Sequence, residues 1–449
     1  MAEQRARGHL HEIDVIRTVT ALCVVGVHAV SFTVVLAQGP LAQQLQNAGV
    51  SALHFTREIF IAITAFVLVY SYGNRPFSAA TFWRKRGIGV LLPYVAWTLF
   101  YDWRTKPPLP LGPWLIRAFE DVLSGNASFQ LYFILLTLEF YLVLPWFLRF
   151  MAWAGRYPWR LLAASLAVQL ALLYVDYRYV QAGPLAATNV GAWLGASQNR
   201  LLPLYQLYMV VGGLAALYLR QVRVFMLRHG AWTVVGLAAG LALLWGNFAY
   251  QVDVAHRSIG YAITVFQPSM ALYALGVSAF LYWVAYRWAI SRAPAAPRGQ
   301  GFWLLLSNAS FGIYLMHAYV LDVAMHRVVP NLPGDWPEAL RVLLVWALVA
   351  GVTTGMCCLW LYIPGLSRLI GRSCALRRDA GAGRWLDGVL AEGRIRLALA
   401  VGSANRWAAQ RRAVLHLPRA LGAGAMSEPA PTTARPGEST ADLQLAERR

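Results

Sequence analysis

Residues 13–32 read IDVIRTVTALCVVGVHAVSF, an apolar run long enough to cross a bilayer as a helix. Two ionisable residues interrupt the run, Arg17 near its start and His28 well inside it. Ionisable side chains are costly in hydrocarbon, so those within a membrane span usually face the interior of a helix bundle or a hydrated cavity. The run therefore predicts a transmembrane helix that carries functional residues.

The rest of the 449-residue chain has the same apolar character, with 58% hydrophobic and 13% charged residues. Apolar runs of about 20 residues recur, which is the length a helix needs to cross the hydrocarbon core. We predict an all-α polytopic membrane protein. Its ten predicted spans lie at 13–36, 51–72, 87–103, 131–149, 160–176, 203–219, 231–250, 259–286, 302–325 and 338–363.

The basic residues of the chain determine its predicted orientation. The formal net charge is +19, but the arginines lie in short clusters between apolar runs. This pattern follows the positive-inside rule and does not form a phosphate-binding stripe, so no nucleic-acid partner is predicted. The basic clusters follow the even-numbered spans, which predicts that both termini are cytoplasmic. The four cysteines have neither disulfide nor metal spacing, and no metal site is predicted.

The composition divides the chain into four predicted parts. Residues 1–12 form a cytoplasmic N-terminus and residues 13–365 the ten-helix transmembrane domain. Residues 366–426 mix Arg with Leu, Ala and Trp, as a basic amphipathic segment on an anionic inner leaflet does. Residues 427–449 are rich in Pro, Thr, Ser and Glu, which predicts a disordered tail.

Several ionisable residues share one predicted depth in the membrane. At about 1.5 Å per residue, His28 and His317 lie equally deep in the first and ninth spans. Arg57, Glu58 and Glu139 approach the same layer from the external side. Each of these residues could also have a purely structural role, as a hydrogen-bonded buried histidine or as part of a buried Arg–Glu pair. Matching depth in unrelated spans favours a functional site near the external surface.

A second cluster lies at the predicted cytoplasmic face. Arg84, Lys85 and Arg86 precede the third span, and Arg17 enters the membrane near the same face. These charges either only set the topology or form an anion site, because guanidinium groups suit phosphate oxygens. With an imidazole deep in the membrane, they suggest a donor that enters from the cytosol and reaches an acceptor on the other side.

Four stretches of the sequence resemble the acyltransferase-3 family of membrane acyltransferases, over about residues 10–365. Arg17 and His28, with ten residues between them, are similar to the opening helix of the family. FYLVLP resembles the end of its fourth helix, and SNASFGIYLMH, with Tyr314 and His317, resembles its late signature. HFTREIFIAITAF is similar to the second helix of the branch that modifies cell-surface glycans with small acyl groups.

The sequence departs from the family pattern at the third predicted span. Many members have two arginines, with two residues between them, before a Pro-Tyr pair. Arg86 matches the first of these, but Gly89 occupies the second position. Arg84 or Lys85 is the predicted replacement for the missing charge.

The resemblance implies acyl transfer in the plasma membrane, from cytosolic acyl-CoA to a hydroxyl of an extracytoplasmic glycan or glycolipid, with no permanently bound cofactor. His28 is the predicted general base, since imidazole titrates near neutral pH. Glu58 or Glu139 would orient its imidazole, and Arg57 would bind acceptor oxygens or developing negative charge. His317 completes the predicted catalytic set.

The donor end of the predicted site consists of Arg17, Arg84 and Arg86, which would hold the phosphates of acyl-CoA. A transporter or flippase for a glycan or lipid-linked sugar is the alternative, because many spans and a polar layer would serve it equally well. The distinctive Arg–His spacing favours an enzyme.

Overall fold

The computed structural model describes residues 9–73, 75–291 and 300–374. These residues form helices joined by turns and contain no strand, so the all-α prediction is confirmed. The α-helices are α1 His11–Thr33, α2 Pro40–Leu53, α3 Thr56–Tyr72, α4 Ala79–Arg86, α5 Leu92–Thr105, α6 Leu111–Ser124, α7 Tyr132–Ala154, α8 Pro158–Val175, α9 Asn189–Ser197, α10 Gln206–Leu217, α11 Leu219–His229, α12 Trp232–Ala249, α13 Ile259–Ala262, α14 Pro268–Ile290, α15 Gln300–Arg327, α16 Glu338–Trp360 and α17 Leu366–Leu369. The predicted amphipathic segment beyond residue 374 and the predicted tail lie outside the described residues.

Fewer helices than predicted are long and apolar enough to cross a membrane. Within the described ranges there are eight, or nine if a pair bent by 49°, Asn189–Arg200 and Leu202–Leu217, forms one span. The predicted third span at 87–103 is absent from this set, because the 14-residue helix α5 follows a π-helical turn at Gly87–Leu91. The count of ten and the orientation of the termini are therefore not confirmed.

Pro268 divides the predicted eighth span. It lies in the first turn of α14, where its missing N–H needs no intrahelical partner. The apolar residues before it form the separate one-turn helix α13 and an irregular segment. Residues 260–266 therefore do not belong to a membrane-spanning helix. Several of them line a cavity described below.

Helix α1 lies at the centre of the bundle and packs against α2, α3, α14, α15 and α16. The buried apolar side chains form two clusters, one around α3, α7, α10 and α14 and the other around α5, α15 and α16. Several side chains of α1 belong to each cluster. The central place of α1 explains how it carries Arg17 and His28 inside an apolar bundle.

Close approach of two backbones joins α3 to α10. A Cβ atom added to Gly212 would lie 2.1 Å from the carbonyl oxygen of Ala62. Small residues at such contacts let transmembrane helices pack on their backbones. The contact fixes the position of α3 relative to α10, and α3 carries Arg57.

We expect Gly212→Ala to destabilise the protein, because its methyl group would force α3 and α10 apart. Overpacking of this kind costs about 1–3 kcal/mol. Thermal unfolding of the purified protein should show a lower Tm for Gly212→Ala. The matched control is Gly236→Ala on α12, whose added Cβ meets no atom within 4 Å. Equal Tm values for the two variants would contradict this packing.

Candidate active site

A cavity of about 300 Å³ opens between the C-terminal half of α1, the start of α3 and the start of α7. Its polar lining comes from separate parts of the chain and includes His28, His54, Arg57, Gln130, Tyr132 and Asn199. Apolar side chains of α1 and the segment at 260–266 complete the wall. The cavity thus brings together His28 and Arg57, two of the residues predicted from the sequence.

The imidazole of His28 is held by aromatic rings. Its ring stacks on that of His317, with centroids 5.2 Å apart and an interplanar angle of 22°. Phe129 lies against it at 4.4 Å. Among the described residues, no hydrogen bond engages a nitrogen of His28, so its ring is positioned by packing and its nitrogens are available to a molecule in the cavity.

His317 is fully buried behind His28 and does not line the cavity. Its Nδ1 lies 2.7 Å from the backbone oxygen of Tyr314. A carbonyl oxygen only accepts, so Nδ1 carries the proton and Nε2 has the lone pair. Nε2 is buried and has no hydrogen-bond partner among the described residues. His317 therefore supports the ring of His28, and His28 is the histidine of this pair that faces the cavity.

The loop before α7 holds Phe129 in place. The hydroxyl of Tyr314 donates to the backbone oxygen of Gln130, and Ser128 Oγ donates to Gln130 Oε1 at 2.6 Å. These bonds attach the loop to α15, on which His317 also lies. The rings of Phe129 and His317, which flank His28, are thus both held in place by α15.

Arg57 presents a fixed positive charge to the cavity. Its Nη1 donates to the hydroxyl of Tyr132 at 3.1 Å and to Oδ1 of Asn199 at 2.8 Å. The guanidinium lies 5.0 Å from the ring centroid of Phe266. Its Nε and Nη2 atoms are buried and have no hydrogen-bond acceptor among the described residues. Nη2 faces Oε1 of the buried Glu58 at 3.8 Å, so Arg57 is paired with a carboxylate, and part of its hydrogen-bonding capacity is not used by the described residues.

The two predicted carboxylates occupy different places. Glu58 is 3% exposed, faces Arg57 at 3.8 Å and lies outside the cavity lining. Glu139 lines a second cavity with Arg200. In the described structure neither carboxylate hydrogen-bonds to His28, and aromatic rings occupy the positions around its imidazole.

Near the other end of α1, Arg17 lies within electrostatic range of Arg86 and Tyr141. Trp83 Nε1 donates to the backbone oxygen of Tyr141 at 2.8 Å and thereby holds α4 against α7. This places Arg86 over the rings of Tyr141 and Phe82, at 5.2 and 5.4 Å. Arg17 is attracted electrostatically most strongly to Asp14 of its own helix and is repelled by Arg86. The structure thus brings together two of the three arginines predicted to hold phosphates.

No ion pair within the described ranges includes either of these two arginines. Asp14, the nearest acid to Arg17 along α1, accepts a hydrogen bond from His9 and raises the pKa of that imidazole. The third predicted arginine, Arg84, is exposed, as is Lys85.

Several lining residues were not predicted from the sequence. His54 Nδ1 donates to the backbone oxygen of Ile263 at 3.1 Å. Within the predicted span 51–72, its spacing of three from Arg57 would put both on one helical face, and this signal could have identified it. In the structure His54 lies in the turn between α2 and α3. Tyr132 and Asn199 gave no such signal, because only the tertiary fold brings them to Arg57.

Comparison with known proteins identifies the family. A family model described as an acyltransferase domain matches residues 10–363. A Bacillus subtilis (strain 168) protein named "Putative membrane-bound acyltransferase YfiQ" is 25% identical over 346 residues, which cover 76% of this chain and 88% of that protein. No solved structure gives a significant match. The chain therefore belongs to the acyltransferase-3 family of membrane acyltransferases, as its Arg–His helix predicts.

Proposed function

We propose that this protein is an O-acyltransferase of the plasma membrane that moves a small acyl group, such as acetyl or succinyl, from cytosolic acyl-CoA to a hydroxyl of an extracytoplasmic glycan or glycolipid. One observation carries the proposal. A single cavity is lined by His28, whose imidazole nitrogens make no hydrogen bond in the described structure, and by the cationic Arg57. A base beside fixed donors for an oxyanion is what ester formation from a thioester requires.

The proposed reaction assigns one step to each group. His28 removes the proton of the acceptor hydroxyl as its oxygen attacks the thioester carbonyl, and a C–O bond forms. Arg57 donates to the oxyanion of the tetrahedral intermediate. The intermediate then collapses, the C–S bond breaks, and the CoA thiolate takes up the proton that His28 had accepted. His317 is a positioning residue that keeps the imidazole in place by stacking.

The donor would lie along α1. Arg17 and Arg86, which have no carboxylate partner in the described structure, would bind the phosphates of CoA at the predicted cytoplasmic end. His28 lies 11 residues along the same helix, about 16 Å away. An extended phosphopantetheine arm is long enough to cover this distance. The exposed Arg84 would contribute only long-range attraction.

We expect Arg17→Ala and Arg86→Ala each to weaken acyl-CoA binding about 10-fold or more, since a charge-assisted hydrogen bond contributes about 1.5–3 kcal/mol. Isothermal titration of the purified variants with CoA checks this expectation. Arg156→Ala, which removes an exposed arginine between α7 and α8, is the control. Wild-type affinity in both test variants would remove these arginines from the donor site.

Mass spectrometry of cell-surface glycans and glycolipids tests the function in cells. With the gene present, the acceptor should carry an ester-linked acyl group that is absent when the gene is deleted. A transporter or flippase would give another result, namely retention of unmodified glycan inside the deleted cells with unchanged acyl content outside. That result would favour the transport alternative.

A further inference from the structure

A second cavity, of about 520 Å³, lies beside the first. One face of α7 supplies Leu135, Glu139 and Val143, which are four residues apart along the helix. Leu123 of α6 and Trp193 of α9 form outer walls, and both side chains are 60% exposed on the apolar surface of the bundle. The cavity therefore opens to the outside of the bundle between two exposed apolar side chains.

Only one turn of backbone separates the two cavities. Gln198 and Asn199 line the first cavity, whereas Ser197 and Arg200 line the second. This turn immediately precedes the break, at Leu201, in the bent pair of helices Asn189–Arg200 and Leu202–Leu217. A molecule in the second cavity is thus next to Asn199, which accepts a hydrogen bond from Arg57.

The second cavity has polar groups at its base. Arg200 Nη1 donates to the backbone oxygen of Ser124 at 2.6 Å. Glu139 is attracted electrostatically to Arg200 but makes no hydrogen bond in the described part of the chain. Such a carboxylate accepts readily from hydroxyl groups and repels phosphates and fatty-acid carboxylates. A neutral sugar beside an alkyl chain matches these polar and apolar walls.

We propose that the second cavity binds the acceptor as a glycolipid, with its alkyl chain against Leu123 and Val143 and its sugar hydroxyls on Glu139 and Arg200. The inference rests on the proposed acyltransferase function and names its acceptor class. The sugar to be acylated would enter the first cavity past the turn at 198–200. Glu139 is then a binding residue and does not act on His28.

Photolabelling tests this site without requiring acyl transfer. The probe is a dodecyl glucoside with a diazirine in its alkyl chain, added to the full chain in nanodiscs, and labelled peptides are identified by mass spectrometry. We expect labelling of Leu123 and of residues 135–143 and 193–203. Excess dodecyl glucoside should compete with the label, whereas dodecanol, dodecyl phosphate and methyl glucoside should not.

Two variants and a control locate the site. Val143→Phe fills the cavity and should reduce labelling at least 10-fold, whereas Leu142→Phe, at a neighbouring side chain that is 59% exposed, should leave labelling unchanged. Thermal unfolding confirms that each variant is folded. The isosteric Glu139→Gln substitution should weaken competition by dodecyl glucoside at least 5-fold. This variant tests the site even if Val143→Phe does not fold.

Some outcomes would overturn the inference. Labelling spread evenly over exposed helices, competition by dodecanol, or labelling that neither Val143→Phe nor Glu139→Gln changes would each do so. Failure of the proposed function looks different, since the label would enter the cavity while no ester formed on any acceptor. Ester formation on methyl glucoside without labelling would overturn only the glycolipid site.

Discussion

Replacing His28 with alanine should lower kcat for acyl transfer by roughly 100- to 10,000-fold, the range that general-base catalysis contributes. The imidazole faces the cavity, and no hydrogen bond in the described structure occupies its nitrogens. In the described structure no residue is hydrogen-bonded to this imidazole and so placed to remove the proton in its stead. Acyl-CoA binding should be retained, since Arg17 and Arg86 lie at the other end of α1. Radiolabelled acyl transfer in proteoliposomes measures the loss.

Chemical rescue separates a catalytic role of His28 from a structural one. The lost side chain leaves space beside Phe129 and His317, and added imidazole should restore part of the activity of His28→Ala. The matched control is His326→Ala, which removes an exposed histidine from the end of α15. Full activity of an inserted, folded His28→Ala protein would exclude His28 as the base.

Replacing Arg57 is expected to have the next largest effect. Arg57→Gln should lower kcat by roughly 100- to 1,000-fold, as loss of an oxyanion donor does in other enzymes. Tyr132 and Asn199 fix the guanidinium in the cavity, so its unused donors need no reorganisation when the oxyanion forms. Single-turnover kinetics with saturating acyl-CoA would measure the chemical step directly.

Arg57→Gln also leaves Glu58 buried without its positive neighbour, which costs about 3–5 kcal/mol when a buried pair is broken. The double variant Arg57→Gln/Glu58→Gln removes both charges and should regain stability without regaining activity. Arg57→Lys keeps the charge but loses the planar fork, and we expect it to remain impaired. Recovery of kcat in the double variant would show that Arg57 acts only through stability.

The sequence predicted part of the site because helical rise converts residue number into depth. His28 and His317 were expected at one depth in different helices, and their rings are in contact. Arg17 and Arg86 were expected at one face, but the position of the Arg86 side chain over the rings of Tyr141 and Phe82 could not be predicted in the same way. It depends on the hydrogen bond from Trp83 that holds α4 against α7.

Depth reasoning was less successful for Glu139. Arg57 is the second residue of α3, and its partner Tyr132 is the first residue of α7. Glu139 is seven residues further along α7, about 10 Å deeper than Tyr132. Hydropathy locates the end of a span only to within several residues. When the ends of two spans are misplaced, the error in the relative depth of their residues adds up to two helical turns.

The predicted number of spans was not confirmed, for a related reason. Hydropathy does not distinguish a helix that crosses the membrane from one that is broken within it. Residues 87–103 include a π-helical turn, and the apolar segment around residue 201 is bent where it separates the two cavities. Both irregularities adjoin the residues to which we assign function, which is where tertiary contacts override local sequence preference.

One measurement tests the central claim most directly. The purified protein is reconstituted in proteoliposomes that contain a glycolipid acceptor, acyl-CoA is added, and the acceptor is analysed by mass spectrometry. We predict an ester-linked acyl group and free CoA in equal amounts with the wild type, and neither above background with His28→Ala. Movement of unmodified glycolipid across the membrane, with no ester formed, would contradict the account.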